Sequence, residues 1–266
     1  MEDAITTLST LASAFWPVGL GICLAVALER LIPNGARPNL DGLRWLQTVI
    51  IYLAGIVFAR LVLPVTVAGA AVTASEGGIG LFNQLALPFW LVLPLSLLAL
   101  DLGQYWRHRL HHATELFWRM HRLHHADEEI DTRTAFRFHP FEVALAVLVD
   151  LGVVFTLGVP PAAIVVFFAV VVFFDIWEHA SVATPPWTRR LLPVFVTPEM
   201  HRMHHGDDPA LYNANFGIVF SLWDRLFGTF RHPAMLTQDV RHGLGVENTL
   251  RFNTLGRLLM DPFRKG

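Results

Sequence analysis

The chain contains the pattern His-x-x-His-His twice, at positions 121–125 and 201–205, and a related pair, His108 and His112, spaced four residues apart. Eleven of its thirteen histidines lie between positions 108 and 205. The packing of a core does not require so many imidazoles in one segment. Imidazole is the commonest protein ligand of transition metals such as zinc, copper and iron. This concentration therefore predicts a metal site.

Helical spacing divides these histidines between more than one ion. Residues three or four apart lie on one face of a helix, so the outer members of each triplet can converge. Adjacent histidines such as His124 and His125 point about 100° apart around the axis, so they tend to bind two different metals. A single zinc site would be satisfied by three or four ligands. The surplus predicts a dinuclear centre held between helices.

The composition is that of a membrane protein. Of the 266 residues, 53% are hydrophobic and only 16% are charged, and the mean hydropathy of +0.46 does not describe a soluble globule. The single cysteine, Cys23, excludes an intrachain disulfide. The chain also lacks a basic tract interleaved with aromatic residues, so we expect no nucleic-acid partner. We predict an all-α, polytopic membrane protein.

Apolar runs at about residues 11–32, 45–67, 81–102 and 141–177 are long enough to enter or cross a hydrocarbon core of about 30 Å. The last run is broken at Gly158-Val159-Pro160-Pro161, which predicts a hairpin of two helices that dips into or just spans the bilayer. Residues 68–80 are small, Gly-rich and free of basic residues, which predicts a loop. The pattern therefore indicates four to five membrane helices.

Basic residues predict the orientation of these helices. If residues 103–140 are cytoplasmic, alternation of the spans leaves only Arg60, among twenty Lys and Arg, away from the cytoplasm. All three histidine clusters then lie at the cytoplasmic face, in the inner membrane if the cell is bacterial. There an apolar substrate could arrive from the bilayer and a soluble electron donor from the cytosol.

Several other residues are candidates with two open interpretations. Asp101 and Asp175 lie near the predicted cytoplasmic ends of spans, where each either accepts an imidazole N–H or simply caps the interface. Asp150 lies deeper, without a partner that the sequence can name. The phenylalanines at 167, 168, 173 and 174 either line a substrate channel or face lipid and neighbouring helices. His232 and His242 are expected to be ordinary surface histidines.

The chain resembles the fatty acid hydroxylase and sterol desaturase superfamily of integral-membrane, oxygen-dependent di-iron enzymes. The resemblance covers about half of the chain and is carried by seven motifs: Asp101 to His112, Trp118-Arg-Met-His121-Arg-Leu-His124-His125, Arg137-Phe-His139-Pro140-Phe-Glu142, Trp177-Glu-His179, Thr197-Pro198-Glu-Met-His201-Arg-Met-His204-His205, Asn215-Phe216-Gly217, and Leu222 to Phe230. It implies membrane helices at 1–100, a catalytic domain at 101–232 that includes a membrane hairpin at about 141–177, and a cytoplasmic tail at 233–266. In this fold a helical cytoplasmic cap holds the histidine-rich cluster.

The resemblance also implies the metal ligands, which would be nine histidines: His108, His112, His121, His124, His125, His179, His201, His204 and His205. Some members of the superfamily have a further histidine four residues after the one between the triplets, where this chain has Ala183. A tenth ligand would have to be His111, His139, water or a carboxylate. His111 is equally a candidate for a ligand and for a hydrogen-bond donor outside the ligand set. His139, in a loop before Pro140, is expected to lie outside the ligand set or to gate the substrate rather than to bind a metal.

The implied reaction is oxidation of an unactivated C–H bond, which requires a redox metal and O2. The resemblance implies two iron ions, with zinc able to replace them in a purified sample. The substrate would be a sterol, fatty acyl chain, ether lipid or carotenoid, either hydroxylated or desaturated. The chain has no cytochrome b5-like His-Pro-Gly-Gly and no cysteine set for an iron–sulfur cluster, so the electrons would come from a separate ferredoxin, cytochrome b5 or reductase.

Basic residues could dock that donor: Arg119, Arg122, Arg133 and Arg137. A positive-inside role explains the same arginines equally well. Two other functions remain as alternatives, a membrane metal transporter and a haem-type electron carrier. The transporter would place its ligands near the middle of the bilayer on broken helices, and the carrier would use single histidines on facing spans. No His-Glu-x-x-His occurs, which argues against a zinc hydrolase.

Overall fold

The computed structural model describes residues 2–235, 241–245 and 254–263, and gives the backbone alone for residues 2–16. This part of the chain is helical, with no strand beyond isolated bridges. Its α-helices, numbered in chain order, are α1 Glu2–Leu31, α2 Gly42–Val62, α3 Val67–Glu76, α4 Leu81–Gln84, α5 Phe89–Ala113, α6 Glu115–His125, α7 Pro140–Leu157, α8 Pro161–His179, α9 Pro198–His204, α10 Pro209–Tyr212, α11 Leu222–Leu226 and α12 Leu255–Met260. The all-α prediction is confirmed.

Four segments are long and apolar enough to cross a membrane: Gly42–Gln84, Phe89–Ala113, Pro140–Leu157 and Pro161–His179. They indicate an integral membrane protein, as the composition predicted. The proposed division at residues 100 and 232 stays a prediction, and part of the expected tail at 233–266 lies outside the described residues.

The hairpin of α7 and α8 lies at the centre of the bundle. Helix α7 packs against α2, α3 and α5, and α8 packs against α1, α3 and α9. The turn between them contains Gly158 at φ 71°, where a Cβ would lie 2.5 Å from Asn83 Nδ2. Only glycine adopts this backbone and tolerates this approach without strain. The chain therefore reverses at the predicted break, and this turn packs against Asn83 of α4.

The segment predicted as a loop at 68–80 is mostly helix α3, so that prediction was wrong. Thr66 caps the helix by accepting a hydrogen bond from Gly69 N at 2.9 Å. Ala70, Ala71 and Ala74 are fully buried in a core shared with α7 and α8. Small side chains allow close packing of membrane helices, so the alanines that suggested a loop are interface residues.

The third apolar run is also longer than predicted. Helix α5 begins at Phe89, directly after Pro88, and continues without interruption to Ala113. It carries Pro94 at its sixth position, where the ring removes the hydrogen bond that an N–H would donate to Trp90 O. The first part of the His-rich segment, residues 103–113, is therefore the last part of helix α5. Thr114 alone separates α5 from α6.

Candidate metal centre

The nine histidines predicted as ligands come from four helices and form two groups. Helices α5 and α6 supply five of them, α8 supplies its last residue, and α9 with its C-cap supplies three. Within each group every imidazole offers a nitrogen that lies within 4.8 Å of the others. We name the groups site A, made by His108, His112, His121, His125 and His204, and site B, made by His124, His179, His201 and His205. All are buried except His112, which is half-buried.

Adjacent histidines belong to different groups, as their angle on a helix predicted. His125 lies in site A and His124 in site B, whereas His204 lies in site A and His205 in site B. The two groups touch through stacked rings of His125 and His205, whose centroids are 4.4 Å apart. The arrangement is suited to two ions held side by side.

Site A is anchored by oxygen atoms from distant parts of the chain. His108 Nδ1 donates to Phe216 O at 2.9 Å, and His204 Nδ1 donates to Ala214 O at 2.7 Å. His121 Nδ1 donates to Glu142 Oε1 at 2.8 Å. Each bond fixes the tautomer and the ring orientation, which leaves Nε2 available to a metal.

Site B is anchored mainly by the helix that ends in it. His179 Nδ1 donates to Asp175 O, one turn earlier on α8, at 2.7 Å. The carboxylate of Glu178 lies 3.5 Å from His201 Nδ1. The opposite ring edges converge, because His179 Nε2 lies 3.2 Å from His124 Nε2 and 2.9 Å from His201 Nε2.

These short contacts between nitrogens fit a bound metal. Two ligands of one ion, each at about 2.1 Å from it, stand roughly 3 Å apart. Protons could join at most two of the three close pairs formed by His124, His179, His201 and His205, because each ring nitrogen takes part in one N–H···N bond. In site A, His204 Nε2 and His125 Nε2 are buried and have no hydrogen-bond partner among the described residues. Buried nitrogens of this kind are expected to coordinate a metal.

Burial keeps five of the imidazoles outside the membrane-spanning segments uncharged. It lowers the pKa of His124, His125, His201 and His205 well below the usual value, and neighbouring imidazoles lower it further. The pKa of His204 is lowered to about 3, again mainly by burial. Neutral imidazole is the form that binds metals, so the site is preset for cations at physiological pH.

A loop at residues 214–217 provides two of the anchors of site A, and Asp224 holds that loop. Asp224 accepts from Phe216 N at 2.7 Å and from Gly217 N at 2.8 Å. A Cβ at Gly217 would lie 2.7 Å from Phe220 O, so no larger residue fits there. Asn215 adopts a left-handed backbone at φ 59°. The loop is therefore fixed before any ion binds.

Asp101 binds backbone and indole N–H groups, which neither of its two open interpretations named. Its carboxylate accepts hydrogen bonds from Val219 N and Phe220 N, each at 3.1 Å, and from Trp223 Nε1 at 2.8 Å, rather than from an imidazole. It ties the segment after the anchoring loop to α5. Asp175 is also different, since its backbone carbonyl, one turn before His179, accepts the imidazole proton.

The remaining predicted histidines are members of neither site A nor site B. His111 forms a third group with His121 and Glu142 and stacks on the His121 ring at 5.1 Å. His139 caps α7 and lies 3.1 Å from Leu259 O, outside all three groups. His232 is exposed, but His242 is half-buried and pairs with Gly206, so the expectation of a surface residue was wrong for His242.

Sequence reasoning assigned no role to Glu142, Glu178 or Arg107. Arg107 donates to Glu142 at 3.1 Å and so completes the anchor of His121. Glu142 and Glu178 both lie inside motifs that carry the family resemblance, and each is a carboxylate in an apolar span. That combination alone marks a candidate functional residue, and it was a signal available before the structure.

An apolar cavity of about 230 Å³ reaches the histidines from within the bundle. Histidines of both groups line it, namely His108 and His121 of site A and His124, His179 and His201 of site B. Phe167 and Phe168 line its far part, whereas Phe173 is 61% exposed on the outer surface. The phenylalanine run therefore serves both of the purposes that the sequence left open.

Two arginines expected to dock an electron donor are unavailable for docking. Arg133 is 2% exposed and pairs with Asp131, and Arg137 is 3% exposed and pairs with Asp127 at 3.3 Å. Burial alone would raise the pKa of Asp127, but Arg137 and Arg44 outweigh it and lower that pKa. These pairs hold the segment after α6 and are part of the scaffold.

Comparison with known proteins agrees with this geometry. The model of the fatty acid hydroxylase family matches residues 93–229, which is more than half of the chain. The chain belongs to the fatty acid hydroxylase family. The family match begins in α5 and ends just after α11, so it includes all nine histidines of sites A and B. No solved structure matches the chain.

Similar proteins include several enzymes named for lipid oxidation. The chain is 30% identical to alkylglycerol monooxygenase of Xenopus tropicalis over 51% of this chain and 30% of that protein. It is 29% identical to ornithine lipid hydroxylase of Rhizobium tropici over 65% of this chain and 50% of that protein. Lathosterol oxidase of Rattus norvegicus is 28% identical over 54% and 48% of the two chains. The chain thus matches half or less of the length of these relatives.

Proposed function

We propose that the protein is an O2-dependent di-iron oxidoreductase that hydroxylates or desaturates a C–H bond of a membrane lipid. The observation that carries this proposal is the apolar cavity lined by imidazoles of both site A and site B. Three similar proteins have names that describe the oxidation of lipids: alkylglycerol monooxygenase, ornithine lipid hydroxylase and lathosterol oxidase. A C–H bond lying in this cavity would face both metal sites at once.

In this proposal the nine histidines of sites A and B hold two iron ions, which supply the activation of O2. The side chains and carbonyl groups of the protein orient the ligand rings and keep water away from the substrate. Carbonyl oxygens and Glu142 hold Nδ1 of four ligands, so that Nε2 of each points inward: His108, His121, His179 and His204. The apolar walls exclude water and align hydrocarbon beside the histidines. His111, which lies against His121 and Glu142, supports this ligand and is not counted among the nine.

Three features of the wider setting belong to the same proposal. The metal site lies at the cytoplasmic face of the membrane, as the distribution of basic residues predicts. A separate protein, a ferredoxin, cytochrome b5 or reductase, supplies the electrons. Zinc replaces iron in samples purified without iron, because imidazole accepts both metals.

The position of the histidines argues against a transporter. His108 and His112 lie in the last turns of α5, and His179 is the last residue of α8. Both sites therefore lie at one end of the spans. A transporter would place its ligands near the middle of the membrane on broken helices.

Lipid mass spectrometry tests the proposal. The wild-type protein and a His124→Ala, His204→Ala double variant, which removes one ligand from each site, are expressed in a lipid-producing host with an electron donor. We expect lipids that have gained one oxygen or lost two hydrogens in the wild-type cells alone. Equal amounts of such products with the double variant, or none in either, would contradict the proposal.

A further inference from the structure

One wall of the cavity, which α5 and α7 form together, carries a row of polar side chains. Gln104, Arg107, Glu142 and Asp150 all line it. Gln104 Nε2 donates to Asp150 Oδ1 at 2.7 Å, and Arg107 Nε donates to Gln104 Oε1 at 2.6 Å. Arg107 also donates to Glu142, which accepts the proton of His121 Nδ1. The row of hydrogen bonds therefore runs from site A to the middle of α7.

The two ends of this row have different explanations. Arg107 and Glu142 anchor His121, so the metal centre accounts for them. Gln104 and Asp150 extend the row beyond that need, since Asp150 lies two turns, or about 12 Å, along α7 from Glu142. They are only 6% and 3% exposed. An ionisable group at such a depth in an apolar span is costly and is by default a candidate for function.

Joining α5 to α7 does not account for the pair. A Cβ placed on Gly103 would lie 3.0 Å from Val149 Cγ1 and 3.3 Å from Val153 Cγ2. Glycine against valine thus brings the two helices into close contact one residue from Gln104. Apolar side chains at positions 104 and 150 would complete such an interface without burying a carboxylate.

The chemistry of the pair selects a ligand group. A carboxylate has about four acceptor positions, and Gln104 binds one oxygen of Asp150. A hydroxyl group both donates and accepts, so it pairs with Asp150 whether the carboxyl is ionised or protonated. Ile56, Val143 and Phe167, which also line the cavity, offer hydrocarbon contacts, whereas Tyr52 and Asp175 are further polar lining residues. A lipid hydroxyl is therefore the group that this position fits.

We infer that the Gln104–Asp150 pair binds a hydroxyl group of the lipid substrate and sets which carbon faces the metal sites. This inference rests on the proposed function. The substrate class is a lipid whose hydroxyl is remote from the reacting carbon, by about the two helical turns that separate Asp150 from Glu142. Such a hydroxyl can be carried by a chain or by a ring system.

Binding of matched lipid pairs tests the inference. The metal-loaded protein in detergent is titrated with 1-hexadecanol against hexadecane, and with cholesterol against cholestane. We expect the hydroxylated member of one pair to bind roughly tenfold more tightly, the contribution of about one hydrogen bond to a charged group. The pair that responds distinguishes a chain lipid from a ring lipid. Asp150→Leu should bring this ratio to about one while hydrocarbon binding is kept.

Two further variants make the outcome decisive. Gln104→Met removes the partner of Asp150, and it should lower the ratio even if Asp150→Leu does not fold. Ser96→Ala removes another buried polar group of α5, bonded to Val92 O at 2.7 Å and outside the cavity, and should leave the ratio unchanged. Equal affinities in the wild type would overturn the inference, as would equal weakening of both members by Asp150→Leu. The titration needs no turnover, so its failure would not contradict the proposed oxidation.

Discussion

Sites A and B hold imidazoles of the same kind by different means. Site A relies on oxygens outside the helices that carry its histidines, in the loop at 214–217 and in Glu142 on α7. Site B relies on the end of α8, where His179 donates to the carbonyl of Asp175 one turn earlier. Site A should therefore respond to changes in the distant loop, whereas site B should depend on residues at the end of α8.

The strongest test of this comparison removes adjacent ligands one at a time. His204→Ala should lower metal binding at site A alone, and His205→Ala at site B alone. Each should reduce lipid oxidation by more than about a hundredfold, because a ligand is worth more than an outer partner. Metal analysis with product quantification checks this. Loss of all bound metal from both variants would show that the sites are not separate.

A smaller effect is expected when the support of one site is removed. Asp224→Asn places an amide where two backbone N–H groups need acceptors, so the loop at 214–217 should loosen. We expect the metal affinity of site A to fall by about 10- to 100-fold while site B is unchanged. Competition with a chelator measures both affinities. Asp131→Asn, which changes another buried carboxylate that accepts a backbone N–H and has no contact with this loop, is the matched control.

Glu178→Gln provides the reciprocal experiment. Its carboxylate lies beside His201 Nδ1, so we expect weaker metal binding at site B by up to about tenfold. The contact is longer than the anchors of site A, which is why the effect should be smaller. The same chelator competition applies. A larger loss at site A than at site B would reverse the comparison.

Changes in the scaffold should affect stability and spare both sites. Gly158→Ala adds a Cβ at a positive φ and close to Asn83, so it should destabilise the protein by about 1–3 kcal/mol. Thermal unfolding in detergent measures this, and the metal content should stay at the wild-type level. A loss of metal at temperatures where the protein remains folded would link the turn to the centre.

The smallest effect is expected on the surface. Arg119 pairs with Glu115 across one turn of α6, and the glutamate side chain is 66% exposed. Arg119→Ala should change stability by less than about 0.5 kcal/mol. It should leave both metal sites intact, although it lies two residues from His121. A clear drop in metal content would give Arg119 a role that its contacts do not suggest.

The sequence predicted the histidines' arrangement better than their surroundings. The angle between adjacent helical residues separated His124 from His125 correctly, because that angle is a property of any helix. The oxygens that orient the rings could not be predicted, since three of them are backbone carbonyls whose positions depend on the folded chain. The partners of Asp101 could not be predicted for the same reason. Its ligands are N–H groups more than a hundred residues away.

The fold was predicted where the pattern was periodic or interrupted by glycine and proline. The break at Gly158 marks the turn between α7 and α8 because the backbone there requires a positive φ. Helix α3 was missed because alanine and glycine are typical both of loops and of close helix contacts. The continuation of α5 to Ala113 was missed because polarity was taken for the end of a helix, although its histidines face the protein interior.

An anomalous-scattering map of iron-loaded crystals tests the central claim most directly. The account predicts two peaks in each molecule, one enclosed by the five imidazoles of site A and the other by the four of site B. A single peak shared by the nine histidines, or peaks enclosed by other residues, would contradict it.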